Sequence, residues 1–82
     1  MQFNIYDDQP YSFNIEVTTN HDTYLIMSWV FKNVERYQFE YLVETLSDDR
    51  KRIWFTFTDH TNARAARNNA LLIKLAFVKD ND

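Results

Sequence analysis

The chain is expected to fold as an α+β two-layer sandwich in the order β-β-β-α-β-α, with about four strands in a mainly antiparallel sheet and two helices on one face. Three observations lead there. Apolar and polar residues alternate with period two near residues 2–5, 11–18 and 52–58, as in strands with one wet face. Apolar stripes at helical spacing occupy 39–46 and 63–77. Short polar clusters separate these segments, and strands interleaved with two helices pack most simply in two layers.

Taken in order, Phe3 and Ile5 alternate with Gln2 and Asn4, and Tyr11, Phe13, Ile15 and Val17 alternate with Ser12, Asn14, Glu16 and Thr18. Asp7, Asp8, Gln9 and Pro10 lie between and supply turn chemistry, so these two strands form a hairpin. The tripeptide Phe-Asn-Ile recurs at 3–5 and 13–15, as if both strands solve the same packing problem. Thr23 to Lys32 is the most apolar run. Its two alternating sets, Tyr24, Ile26, Ser28, Val30 and Leu25, Met27, Trp29, Phe31, suit a third strand covered on both faces. Asn33 then caps a helix with Glu35 in its first turn, where Phe39, Leu42, Val43 and Leu46 make one stripe. Tyr37 and Tyr41 widen that stripe, and Glu40 and Glu44 fall on another face.

Ser47 to Lys51 breaks the helix, and Ile53, Phe55 and Phe57 alternate with Arg52, Trp54, Thr56 and Thr58 in a fourth strand. Asp59 or Thr61 caps a last helix through Phe77, with Ala63, Ala66, Ala70, Ile73 and Phe77 as its buried stripe. Residues 1–79 form one domain, and the acidic tail 80–82 frays.

Composition bounds the function. With 82 residues and no cysteine, a single core must hold the fold without disulfides, and no thiolate site exists. The absence of glycine removes the phosphate-cradling loops of nucleotide enzymes, so no cofactor is expected. Met1 to Pro10 lacks the basic start and apolar run of a signal peptide, and no uncharged stretch approaches the roughly 18 apolar residues of a membrane span. A soluble cytoplasmic protein is the expectation.

Charge is sorted along the chain. Through residue 49 nine acids face only Lys32 and Arg36; from Arg50 to Lys79 seven bases face Asp59 alone. Such asymmetry points to charged partners, or to halves that face each other. The acids Asp7, Asp8, Glu16, Asp22, Glu35, Glu40 and Glu44 are interleaved with Tyr6, Tyr11, Tyr24, Tyr37 and Tyr41, a combination suited to a basic protein surface. The basic set Arg50, Lys51, Arg52 with Trp54, Arg64 and Arg67 could instead hold phosphates and stack a base. His60 with Thr61, Arg64 and Arg67 could form an anion-binding corner at the start of the last helix. His21 and His60 are too few for a transition-metal site without thiolates, and Ser12, Ser28 and Ser47 lie in no nucleophile turn.

The leading expectation is a non-enzymatic protein-binding module that uses Asp7, Asp8, Tyr37, Glu40, Tyr41 and Glu44. Its Asn-rich, glycine-free composition fits a small phage or mobile-element accessory protein that inhibits or modulates a host nucleic-acid-handling protein. The second expectation is a small nucleic-acid binder using the 50–67 region, and an enzyme ranks third. The apolar row Leu25, Met27, Trp29 and Phe31 adds the expectation of a homodimer if the helices cover the opposite sheet face.

Overall fold

A computed structural model describes residues 1–59 and 62–77. It contains β1 (Gln2–Ile5), β2 (Ser12–Val17), α1 (Asn20–Asn33), a 3-10 turn (Arg36–Gln38), β3 (Phe39–Ser47), β4 (Arg50–Phe57) and α2 (Ala63–Phe77). The α+β class, the four-stranded antiparallel sheet and the two helices agree with the sequence reading. The order of elements differs. It is β-β-α-β-β-α, because the segment expected as a third strand is α1 and the segment expected as a helix ends in β3.

Both exchanges have local causes. Thr19 has extended backbone and its hydroxyl accepts from the Asp22 amide at 3.0 Å, so a helix starts there, with Asp22 in its first turn. Ile26 and Val30, one helical turn apart, are its buried residues, and Met27, Trp29 and Val34 pack beside them. Because nearly every side chain of this run is apolar, a period of two fits it as well as a period of 3.6, and the cap decides. Asn33 closes this helix rather than opening another, its side-chain amide donating to the Trp29 carbonyl at 2.8 Å. In β3, positions 39, 42, 43 and 46 do not share a buried face. Only Phe39 is buried, and Tyr41 and Val43 alternate with Glu40, Leu42 and Glu44 along eight cross-strand pairs with β4.

The strand order is β1-β2-β4-β3 with every neighbour antiparallel. Strands β2 and β3 therefore run parallel on either side of β4, and α1 links them as a split β-α-β unit. The β3–β4 turn at Asp48 and Asp49 has no positive φ, in keeping with a chain without glycine, and a register shift lies between Thr45 and Ser47.

One core fills the space between sheet and helices. Phe13, Ile15, Val17, Ile53, Phe55, Phe57 and Phe39 project from one sheet face and meet Ile26 and Val30 of α1 and Ala66, Ala70 and Ile73 of α2. Both helices thus cover the same face, and of the expected α2 stripe Ala66, Ala70 and Ile73 are buried while Ala63 and Phe77 are half-buried. Phe13 stacks on Phe55 with centroids 5.3 Å apart, and Phe39 tilts against Phe55 at 6.0 Å. The first turn of α2 is satisfied by Asn62, whose side-chain oxygen accepts from the Ala65 amide at 3.0 Å, so Asn62 takes the capping role expected of Asp59 or Thr61. The tail expected to fray, 80–82, lies outside the described residues. No helix among them is long and apolar enough to cross a membrane.

Candidate functional site

The helices leave the other sheet face open. The pairings Asn4 with Asn14, Glu16 with Arg52 and Leu42 with Trp54 place Asn4, Asn14, Glu16, Glu40, Leu42, Glu44, Arg52, Trp54 and Thr56 there. Across β2 and β4 this face is closed by its own polar groups. Asn14 is completely buried: its side-chain oxygen accepts from Asn4 at 2.8 Å, and its amide donates to the Tyr6 hydroxyl at 3.1 Å. Glu16 sits between Arg50 and Arg52, with the Arg52 Nη2 to Glu16 Oε2 distance at 3.3 Å. The Arg50 hydrogen bond, and after it that of Arg52, holds the Glu16 carboxyl below the usual carboxylate range against the opposing effect of burial. Arg52 also approaches Glu44 at 3.5 Å, and the Trp54 indole N–H donates to the same Glu44 oxygen at 3.3 Å.

The basic candidates are mostly engaged in this way. Arg50, Arg52 and Trp54 hold carboxylates, Lys51 donates to the Asn20 side chain at 3.3 Å, and Arg67 binds Asp7 at 3.3 Å and the Tyr6 carbonyl at 3.0 Å. Arg64 is exposed on α2. His60 and Thr61 of the expected anion-binding corner lie outside the described residues.

The acidic candidates fall into two groups. Asp7 and Asp8 occupy the β1–β2 turn, beside an edge strand that β2 and β4 separate from β3, and Asp7 ties that turn to α2. Glu40 and Glu44 lie on β3 with the exposed Leu42 between them, whereas Tyr41 belongs to the opposite side of the same strand. The strand keeps Glu40 and Glu44 on one face, sets Tyr41 on the other and leaves Tyr37 in the turn before it. Glu40 has no cation partner among the described residues, and with Tyr41, Leu42, Trp54 and Thr56 it lines a shallow, open recess of about 310 Å³.

On the helix side of β3, Arg36 lies over Phe39 and Tyr41 with centroid distances of 5.1 and 5.3 Å, and it donates to the Phe39 carbonyl at 2.6 Å. Phe31 packs edge-on to Tyr41 at 5.6 Å. Tyr37, in the turn before β3, is three-quarters exposed.

The main chain of β3 has a definite phase. Phe57 N–H bonds the Tyr11 carbonyl and Thr58 N–H bonds the Gln38 carbonyl, so these opposed residues are hydrogen-bonded pairs. Alternation then gives Glu40, Leu42 and Glu44 to the β4 ladder and points the N–H and C=O of Tyr41, Val43 and Thr45 outward from the sheet. Arg36 occupies the outward carbonyl of Phe39, the next member of that series.

Sequence reasoning missed Glu16 as the hub of the ion network, Leu42 as a surface residue, Arg36, and the open side of β3. Glu16, Arg52 and Trp54 could have been set on wet faces by alternation, but their meeting depends on strand order. Among the described residues no group of three His, Cys, Asp or Glu side chains converges as a metal site. Comparisons with family models, with curated proteins and with solved structures return no match.

Proposed function

We propose that the chain is a non-enzymatic module that binds a basic surface of another protein through the β3 side of its sheet. The observation that carries this reading is the contrast in charge pairing. From Glu35 to Asp49 the chain holds five acids and one base, Arg36, and Glu40, beside exposed Leu42, has no cation partner among the described residues. Of the basic residues that could have bound phosphate, Arg50, Arg52 and Arg67 are instead spent on Glu16, Glu44 and Asp7, and Arg64 is left exposed on α2. Steering by unpaired carboxylates and contact area from Leu42, Tyr37 and Tyr41 fit a positively charged partner. Nucleic-acid-handling proteins present such surfaces, which makes them the partner class of choice. An accessory protein of a phage or mobile element that modulates such a host protein is the setting suggested by composition alone.

Binding of nucleic acid itself has weaker support. The Trp54 indole is engaged with Glu44, so a stacked nucleotide would bring its phosphates toward a carboxylate. The two readings separate in a pull-down from nuclease-treated and untreated bacterial lysate, using wild type, a Glu40→Lys/Leu42→Asp variant and an Arg64→Glu/Lys74→Glu variant. The expected result is a partner that survives nuclease, is retained by the α2 variant and is lost by the β3 variant. Recovery that requires nucleic acid, or that fails in the α2 variant alone, would overturn the reading.

A further inference from the structure

The geometry points to strand addition at β3: we infer that an extended segment of the partner, with basic and apolar residues alternating on one side, pairs with the outward main chain of Tyr41, Val43 and Thr45. This inference rests on the protein-binding reading above and names its mode. Three observations lead to it.

The first is the length and openness of the edge. Nine residues form β3, and beyond the Phe39 carbonyl taken by Arg36, none of its outward main-chain groups has a backbone partner among the described residues. A long edge of this kind is a template for another strand, and natural proteins normally blunt it with lysine, proline or a covering segment. Here β3 carries neither lysine nor proline, and the register shift comes only at its far end. The second is the surface on either side. Leu42 is exposed on the open face, and Tyr41, Val43 and Phe31 are exposed on the helix side, so an added strand would cover apolar area above and below.

The third is charge, which selects the occupant. Glu40, Leu42 and Glu44 follow one another at a spacing of two on the open face, so a complementary strand carries a basic residue, an apolar residue and a basic residue at matching positions. A second copy fits less well. Antiparallel self-pairing centred on Leu42 sets Glu40 directly against Glu44 of the other copy twice, and centring on Val43 still gathers four glutamates about the dyad.

The test uses the whole chain and a synthetic peptide, acetyl-Thr-Arg-Val-Leu-Val-Arg-Thr-amide, followed by amide chemical shifts. Saturable binding is expected, with the largest changes on β3, and glutamate in place of both arginines should weaken it by about tenfold or more. N-methylation of the peptide's third and fifth residues, whose amides would face β3, should abolish binding, whereas N-methylation of its fourth residue, whose amide would point away, should not. Val43→Pro should abolish it as well, since that change removes an outward donor while leaving the β4 ladder intact. If Val43→Pro fails to fold, the methylated peptides on wild type decide the matter alone.

Binding that is indifferent to methylation and to Val43→Pro but lost in Glu40→Lys would overturn strand addition and leave the acidic-surface reading standing. Absence of binding would overturn strand addition by this class of segment, and the nuclease-resistant pull-down would then judge the broader reading separately. Concentration-dependent self-association abolished by Val43→Pro would assign the edge to a second copy and overturn the inference.

Discussion

The two edge strands of this sheet meet the same problem, exposed main chain, in different ways. Strand β1 has four residues, and its neighbourhood is fastened: Asn4 bonds both Asn14 and Glu16, Tyr6 bonds Asn14, and Asp7 reaches α2 through Arg67. Strand β3 has nine residues and is anchored by its ladder to β4, with side chains exposed on both faces after Phe39. Polar side chains at β1 are consumed within the molecule, whereas among the described residues Glu40 has no cation partner and the main chain of β3 beyond the Phe39 carbonyl has no outward backbone partner. Strand order decides which edge keeps its polar side chains engaged, and charge along the sequence alone does not reveal it.

The contrast can be broken first within β3 itself. Leu42 gives its amide to β4 and Val43 points outward, so proline at these adjacent positions should have unequal effects. Leu42→Pro should lower stability by about 3 kcal/mol or more, and Val43→Pro by about 1 kcal/mol, as measured by urea denaturation. Equal losses would mean that the hydrogen-bond phase is wrong. On the β1 side, Asn14→Ala removes the bonds that a fully buried side chain makes to the Asn4 amide and the Tyr6 hydroxyl, leaving Asn4 only its bond to Glu16, and should cost about 1–3 kcal/mol. A neutral Asn14→Ala in the same assay would contradict the fastening of that edge.

Acid should act through Glu16. Its carboxyl titrates lower folded than unfolded, so the Arg50 and Arg52 pairing contributes stability that is full above the unfolded value of about 4.3 and fades as pH falls toward the folded value. Thermal melts over that range should therefore fall less steeply for Glu16→Gln than for wild type, and parallel slopes would remove Glu16 from the account. The smallest effect on folding belongs to Glu40→Lys. With no ion pair to lose among the described residues, it should stay within about 0.5 kcal/mol of wild type while still disrupting binding at β3.

Much of the fold can be read from the sequence where one face is wet. Phe13, Ile15 and Val17, and Ile53, Phe55 and Phe57, alternate with polar residues, Ala66, Ala70 and Ile73 recur at helical spacing, and each is buried as its pattern requires. Between Thr23 and Leu46 the signal is ambiguous. Residues 24–31 are apolar on every side apart from Ser28, and 39, 42, 43 and 46 match a helical stripe while 39, 41 and 43 match a strand. Tertiary pairing with β4 resolves the second segment and the Thr19 cap the first. Glu40 and Glu44 share a face in either conformation, since a spacing of four returns to the same side of a helix and of a strand, so that part of the site survives the exchange. Helical spacing has Tyr37 and Tyr41 widen the apolar stripe of a helix; the strand instead sets Tyr41 across the sheet from the glutamates and leaves Tyr37 in the preceding turn.

Amide hydrogen exchange along β3 of the free protein tests the central claim most directly. An open edge requires fast exchange at Tyr41, Val43 and Thr45 and slow exchange at Glu40, Leu42 and Glu44, an alternation with the period of the strand. Uniform protection along 40–45 would contradict it, because the outward groups would then already have a partner.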